Sequence, residues 1–582
     1  MTVHAKVLFV LLLILPAAYS ATYYVSSTGN DAAPGTMAAP FRSIAKVNTL
    51  TLRSGDAVYF RGGDTFNGSI SIDSSDIGSA ATPIIIGSFA SGRAAINGGN
   101  GKGITVFDTV GVRITNITVI GNGRKTGNTE DGIIVNNSRA VDVVHCEVYG
   151  FQHSGVRLYD SDAIRLYGVY SHDNGFAGIY SINPSMTVPS GWNSGLYIGY
   201  CITANNPGDP TVLNNHSGNG IVISCFRDVL IEYCESYTNG WDMPWTGNGP
   251  VGIWTFCVDR ATIQYCISHD NRTGPYSTKD GGGFDLDGGT RNSVIQYCLS
   301  YNNDGTGYGI FQYSGAPDFF SNTIRYCVGY NDGKKVGAGG IRVWNGPNTV
   351  STFHDVTVHN NTIYNTKSAA VYFINPIGNG RFINNIFITK GAPFIGTSAT
   401  AASHTLRYNN YWDLDGRFEQ DGYSNFSEWA LAKNVEQHAG SIVGRFGDPK
   451  LQCIAVPPTV TDPALLSAYT NAIPLSVSPV IDAGCDLLSM FGLPMGSRDL
   501  LGNAVPRNRV FDIGACEYIS SLPPAAPVVS GVPASFTTNA PFTVMLDVDR
   551  NFGYWSTNGS AFTQFTAAGT SITIDRTTTL RC

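Results

Sequence analysis

The chain is short of charge. Of 582 residues only 14% are Asp, Glu, Lys or Arg, and with 36 basic against 43 acidic side chains the net charge is −7. No basic face of the kind a nucleic-acid partner demands can be assembled from so few cations. Long apolar runs are also missing beyond the N-terminus, where "MTVHAKVLFVLLLILPAAYS" combines one Lys, an apolar run from Val7 to Leu15, and small residues at Ala18 and Ser20. That pattern reads as a secretory signal over 1–20, cleaved before Ala21. Nothing later reaches the roughly 18 continuous apolar residues of a membrane helix. A secreted, extracellular protein without a membrane span, monomeric, is expected. Strong helix formers are scarce, with 7 Met and few charged residues, whereas 67 Gly, 29 Tyr and 29 Phe favour an all-β chain.

What is present is a repeat. Cysteine recurs in one local frame, "IEYCES" at Cys234, "IQYCIS" at Cys266, "IQYCLS" at Cys298 and "IRYCVG" at Cys327, and the steps from Cys201 onward are 33, 32, 32 and 29 residues. Such a period signals a solenoid or propeller. Units such as "GIWTFCVDRATIQYCISHDN" are short β-rich pieces broken by Gly and Asn, which excludes helical repeats. Three short strands per unit, stacked on their neighbours, make a parallel β-helix. Cysteines at equivalent places in such a stack form a buried thiol ladder rather than a disulfide framework, although export would favour disulfides. Cys582, the last residue, stands outside that pattern.

A glycine opens the first strand of each unit: Gly132, Gly155, Gly220, Gly252, Gly283, Gly309 and Gly340. Alternation sends the first and third residues after it inward and the second and fourth outward. The outward residues form two columns, Ile134, Arg157, Val222, Trp254, Asp285, Phe311, Arg342 and Tyr372, and beside them Asn136, Tyr159, Ser224, Phe256, Asp287, Tyr313, Trp344 and Ile374. The carboxylates Asp285 and Asp287, in "DGGGFDLDGG", are thereby placed among Trp254, Phe256, Phe311, Tyr313 and Trp344. Exposed aromatic area of this density suits a sugar-stacking groove, and a polysaccharide laid along the coil is the expected ligand.

Two further likenesses sharpen the expectation. "YYVSSTGNDAAPGTMAAPFRSIAKVNTL" and "SGDAVYFRGGDTF" resemble the N-terminal segment of secreted right-handed parallel β-helix proteins of the pectate-lyase type, with Pro40 at the start of a short capping helix. The likeness covers roughly residues 22–400. "GGGFDLD", "SYNNDGTGYGIF" and "GAGGIRVW" together are similar to the three active turns of family-nine pectate lyases. The resemblance implies β-elimination on a uronic-acid glycan, with Arg342 at the position of the base and Asp285, Asp287 and Asp304 as ligands of a Ca²⁺ ion. It departs from the family at Gly282 and Gly309, where aspartates are expected, and at Arg342, where lysine is. Arginine keeps its proton in water, so the residue alone reads as a charge neutraliser. The solvated Lys279, Lys334 and Lys335 are reserve basic groups.

A glycoside hydrolase is the alternative, with Asp285 and Asp287 as acid and base pair. Residues i and i+2 of a strand are about 6.6 Å apart at the backbone, near the spacing that favours inversion. The His turn of polygalacturonases is missing. A non-catalytic glycan-binding β-helix is the third reading. Neither a zinc spacing nor a serine-nucleophile elbow supports other chemistry. The histidines His145, His153, His172, His216 and His269 read as turn residues. After about residue 400 the repeat gives way to an irregular closure ending near 519. Residues 520–527 form a Pro-rich linker, and 528–582 resemble a small chitobiase-type β-sandwich.

Overall fold

A computed structural model describes residues 20–397, 404–507 and 510–518, together with isolated strands from Val529 onward. The expected signal peptide, save Ser20, and the expected linker 520–527 lie outside the described residues. The protein divides after Tyr518 into two units. In the second, Phe542–Leu546 pairs antiparallel with Val529–Ser530 and Thr570–Ile574, and Gly553–Thr557 with Thr563–Phe565 and Leu580–Arg581.

In the first unit each turn runs through three strands, as in Gly282–Leu286, Val294–Gln296 and Leu299–Tyr301. Every strand pairs in parallel with its equivalent one turn on, and the third strands alone form a 14-stranded sheet. The fold is a right-handed parallel β-helix. Its interior is a continuous column of aliphatic and aromatic side chains, among them Ile221, Ile253, Phe284, Tyr308 and Ile341, all buried. The expected thiol ladder is present: Cys201, Cys234, Cys266, Cys298 and Cys327 are free and buried, and the Cys234 N–H donates to Cys266 Sγ at 3.4 Å. The residue before each of the last four is a tyrosine with φ between 50° and 56°. The repeated "YC" therefore marks a corner in which the ring turns outward and stacks on the ring of the next turn, as Tyr233 does on Tyr265 at 5.1 Å.

Glycine opens each first strand for a steric reason. A Cβ at Gly252 would come within 2.9 Å of the Gly283 carbonyl oxygen, and one at Gly283 within 2.9 Å of that of Gly307. The next member of the column is thus Gly307, not Gly309. The aligned frame from Gly309 is corrected by two residues, because "GYGI" offers two glycines and only the first meets the carbonyl of the following turn, at Gly340. Tyr308 points inward, where its hydroxyl donates to the carbonyls of Cys298 and Val328 at 2.9 and 2.8 Å.

Asparagines pin the corner ahead of these glycines. The Nδ2 groups of Asn174, Asn206, Asn239 and Asn271 each donate to Oδ1 of the next asparagine, ending at Asn303, whose Nδ2 donates to Asp332 Oδ1 at 2.8 Å. A second ladder, Asn361, Asn385 and Asn409, ends on Glu436. A terminal rung must accept without needing to donate onward, which a carboxylate does. Burial pushes both Asp332 and Glu436 up to about 7.

The ends are covered. The capping helix Ile44–Val47 is present, but its N-cap is Ser43, whose hydroxyl accepts from the Lys46 N–H, and Pro40 lies ahead of it. At the other end Phe426–Lys433 inserts the buried Trp429 against Tyr411 and Phe418. The closing segment lays Leu466, Tyr469 and Ile513 over Tyr301, Tyr330 and Tyr364. Among the described residues no helix is long and apolar enough to cross a membrane.

Asn271→Ala removes the acceptor of both the Asn239 N–H and its Nδ2. Each orphaned buried donor costs roughly 1–3 kcal/mol. A lower thermal midpoint by circular dichroism is the expected outcome, and an unchanged midpoint contradicts the ladder's role.

Candidate functional site

The first-strand face carries the carboxylates. Register places Trp254 beside Asp285, Asp285 beside Gly309, Gly309 beside Arg342 and Arg342 beside Tyr372. In the second column Phe311 lies beside Trp344 and Trp344 beside Ile374. Phe311 thus belongs to the second column, and Tyr313 lies beyond the end of its strand. There its ring would contact any Cβ at Gly288, and its hydroxyl is 3.6 Å from Cys257 Sγ.

Gly309 has a reason of its own. A Cβ there would lie 2.5 Å from Asp285 Oδ1, so the position clears space for the Asp285 side chain. The residue read as a lost family aspartate is the vacancy into which an existing one extends. Asp285 is 2% exposed, and its Oδ1 has no hydrogen-bond partner. Arg342 reaches over the same gap from the far side, its guanidinium 5.9 Å from the Phe311 ring centroid and its buried Nε without a partner. Unpartnered buried polar atoms of opposite charge on facing turns are costly to fold and call for an explanation.

Asp287 follows at the strand's end. Its N–H donates to the Thr255 carbonyl at 2.7 Å, its Oδ1 accepts from the Gly288 N–H at 2.7 Å, and it is half-buried. A third carboxylate, not singled out from the sequence, joins them: Asp280, in the tight turn before the strand (φ 52°), accepts from the Gly249 N–H at 2.7 Å. Burial is the main cause that raises all three. Asp287 is pushed up to about 7, with Asp280 adding repulsion. Asp285 is raised well above the carboxylate range by burial and by the charges of Asp287 and Asp280, against the opposing pull of Arg342. Asp280 is raised as well, with Arg342 again opposing. Three carboxyl groups so placed resist ionising together.

The expected metal set is not assembled. Asp304 is turned away to the neighbouring corner, where it accepts from the Thr273 N–H at 3.1 Å and lies 3.5 Å from Arg272. Among the described residues no three His, Cys, Asp or Glu side chains group closely enough to hold a metal ion. The trio Asp285, Asp287 and Asp304 therefore does not fit Ca²⁺ as a ligand set, because an arginine occupies the third member.

Three of the expected sugar platforms are buried. Trp254 and Phe256 face outward from the coil but are buried, at 4% and 9% exposure, under a small apolar cluster that includes Trp192 and Val222. Trp254 Nε1 donates to Asn219 Oδ1, and His216 packs edge-on against its indole at 4.9 Å. Phe311 is buried too, at 6%. Tyr313 and Trp344 remain half-buried at the surface. Lys335 is held by the Gly274 carbonyl at 2.7 Å, and Lys279 and Lys334 are exposed on loops. Asp280 was missed because it lies in the turn ahead of the strand, where alternation assigns no face, and His216, read as a turn residue, packs on Trp254 instead.

Residues 193–411 match a family model described as a right handed beta helix region. No curated protein matches the chain. Among solved structures, it is similar to a GH136 lacto-N-biosidase from Eubacterium ramulus (18% identity, TM-score 0.47, covering 65% of this chain and 67% of that one). It is also similar to pectate lyase Pel9A (14%, TM-score 0.42, 86% and 97%) and to the A-module of the mannuronan C-5 epimerase AlgE4 of Azotobacter vinelandii (14%, TM-score 0.40, 60% and 91%). The family model and the parallel strand pairing agree on one architecture, the right-handed parallel β-helix.

Proposed function

We propose that this is a secreted polysaccharide-active enzyme that breaks a glycosidic bond by hydrolysis, with the carboxyl groups of Asp285 and Asp287 as its acid and base. The observation that carries the reading is the Asp285–Asp287 pair itself, two carboxyls on one face of one strand with raised proton affinity, one buried without a hydrogen bond and one half-open to solvent. Asp285, raised the more strongly, donates a proton to the leaving oxygen, the role given to the raised member of a glycosidase pair, and Asp287, ionised above about 7, is the base that activates water. Mutual repulsion with Asp287 and Asp280 keeps the proton on Asp285. Arg342 supplies a fixed positive charge against hydroxyl or acidic substituents, with Trp344 and Tyr313 at the margin.

Arg342 also favours a second reading, the polyuronide lyase, because a cation beside the cleavage site can neutralise a uronate carboxylate. In that reading an aspartate must act as the base, since a guanidinium holds its proton.

Purified protein incubated with polygalacturonate, alginate, chondroitin sulfate and xylan separates these outcomes. New reducing ends without ultraviolet absorbance are expected, unsaturated products indicate the lyase, and no product across the panel sinks both. Asp287→Asn is expected to lower turnover by about 10²–10⁴-fold, the usual contribution of general acid–base catalysis.

The pH dependence has a definite sign. As Asp287 must be ionised to act as the base, activity rises as pH climbs through about 7, and the Asp287→Asn residual activity lacks that acid limb. Stability moves in the opposite sense. A carboxyl whose proton affinity is raised on folding stabilises the protein fully at pH 4 and loses that contribution as pH climbs through about 7. Asp287→Asn should therefore raise the thermal midpoint at pH 8 relative to the parent, with the gain vanishing towards pH 4. A midpoint lowered at pH 8 contradicts the assignment.

A further inference from the structure

The two directions along the coil from Asp285 are built differently. Toward the N-terminal turns the outward face is filled. Residues 183–192, a loop leaving one edge of the first strand Ala177–Ile182, fold back over Val222, Trp254 and Phe256. The loop is anchored rather than loose. Trp192 is buried with its Nε1 donating to the Met186 carbonyl at 3.2 Å, Asn183 Nδ2 ties the loop's ends by donating to the Gly191 carbonyl at 2.9 Å, and Arg227 donates to the Trp192 carbonyl at 2.7 Å. From the other edge of the face His216, itself buried, closes against the Trp254 indole. Two loops from opposite edges thus meet over the turn immediately before Asp285.

Toward the C-terminal turns the same column carries Gly309, Arg342, Tyr372 and Gly396, two of them without side chains and the other two half-buried. Nothing comparable to the Trp192 and His216 cluster stands on these positions among the described residues.

We infer that the cleft is blind at its N-terminal end and that the enzyme acts on the terminus of a glycan chain, releasing a short unit of fixed size rather than cutting at internal bonds. This rests on the proposed function. The wall at Trp254 stands one strand spacing, about 4.8 Å, from Asp285, a distance too short for a continuing chain. The remainder of the substrate lies toward Arg342, Tyr372 and Gly396, where no comparable cluster stands among the described residues.

The test is the course of product release on whichever polysaccharide of the panel is cleaved, followed by mass spectrometry and viscosity. One product size from the earliest time point, with viscosity falling only in proportion to mass released, is expected. A ladder of intermediate oligomers with an early collapse of viscosity overturns the blind end while leaving hydrolysis standing. Absence of any product removes the proposed function and the inference with it. Trp192→Ala, which takes out the loop's anchor, should raise the share of larger products at least several-fold. If that variant stays folded by circular dichroism and its product size is unchanged, the loop is not the stop. Should it unfold, Met186→Gly probes the same wall from its surface and is read by the same product sizes.

Discussion

Everything in this protein hangs on the in-register stacking of each strand upon its equivalent one turn later. Backbone hydrogen bonds fix the spacing at about 4.8 Å, and the spacing then dictates the side chains. Glycine must open the first strand because the carbonyl of the next glycine stands where a Cβ would be. Asparagine must hold the corner because only an amide both donates to the next rung and accepts from the last. The same rule brings Asp285 and Arg342 to face each other across Gly309. A buried carboxyl and an arginine with unpartnered polar atoms persist there because the packed interior column holds the frame.

Much of this could be read from the sequence. Cys201, Cys234, Cys266, Cys298 and Cys327 gave the period, and with it the coil and the buried thiols. The inward and outward faces followed from alternation, and Asp285, Asp287 and Arg342 do share a face. The misreadings have particular causes. In "GYGIF" two glycines competed for one position, and sequence contains no carbonyl to choose between them, so Phe311 and Tyr313 were displaced by one step along the strand. Trp254 and Phe256 point away from the coil as alternation requires, yet outward is not the same as exposed. Whether a loop such as 183–192 lies back over its own strand is decided by contacts between turns, which no local pattern records. Asp304 was taken for a metal ligand from a resemblance, and its partner Arg272 lies one turn away, invisible at the level of motif.

The site itself is economical in its use of the frame. One short strand presents two carboxyls, the turn before it supplies a third, and neighbouring turns contribute either a missing side chain or a single cation. The chemistry is adjusted by what the next turn omits as much as by what it provides.

The asparagine ladders carry one consequence for how such a chain comes to be folded. Each rung donates forward, so a coil assembled from its N-terminal end always presents at its leading edge an amide and a backbone N–H with no acceptor until the following turn arrives. The growing coil is never self-sufficient midway. Asp332 and then Glu436 act as full stops, acceptors that ask nothing of the next turn. The stack is therefore a directional polymer with two written terminations, and the first falls one turn beyond the strand that bears Asp285.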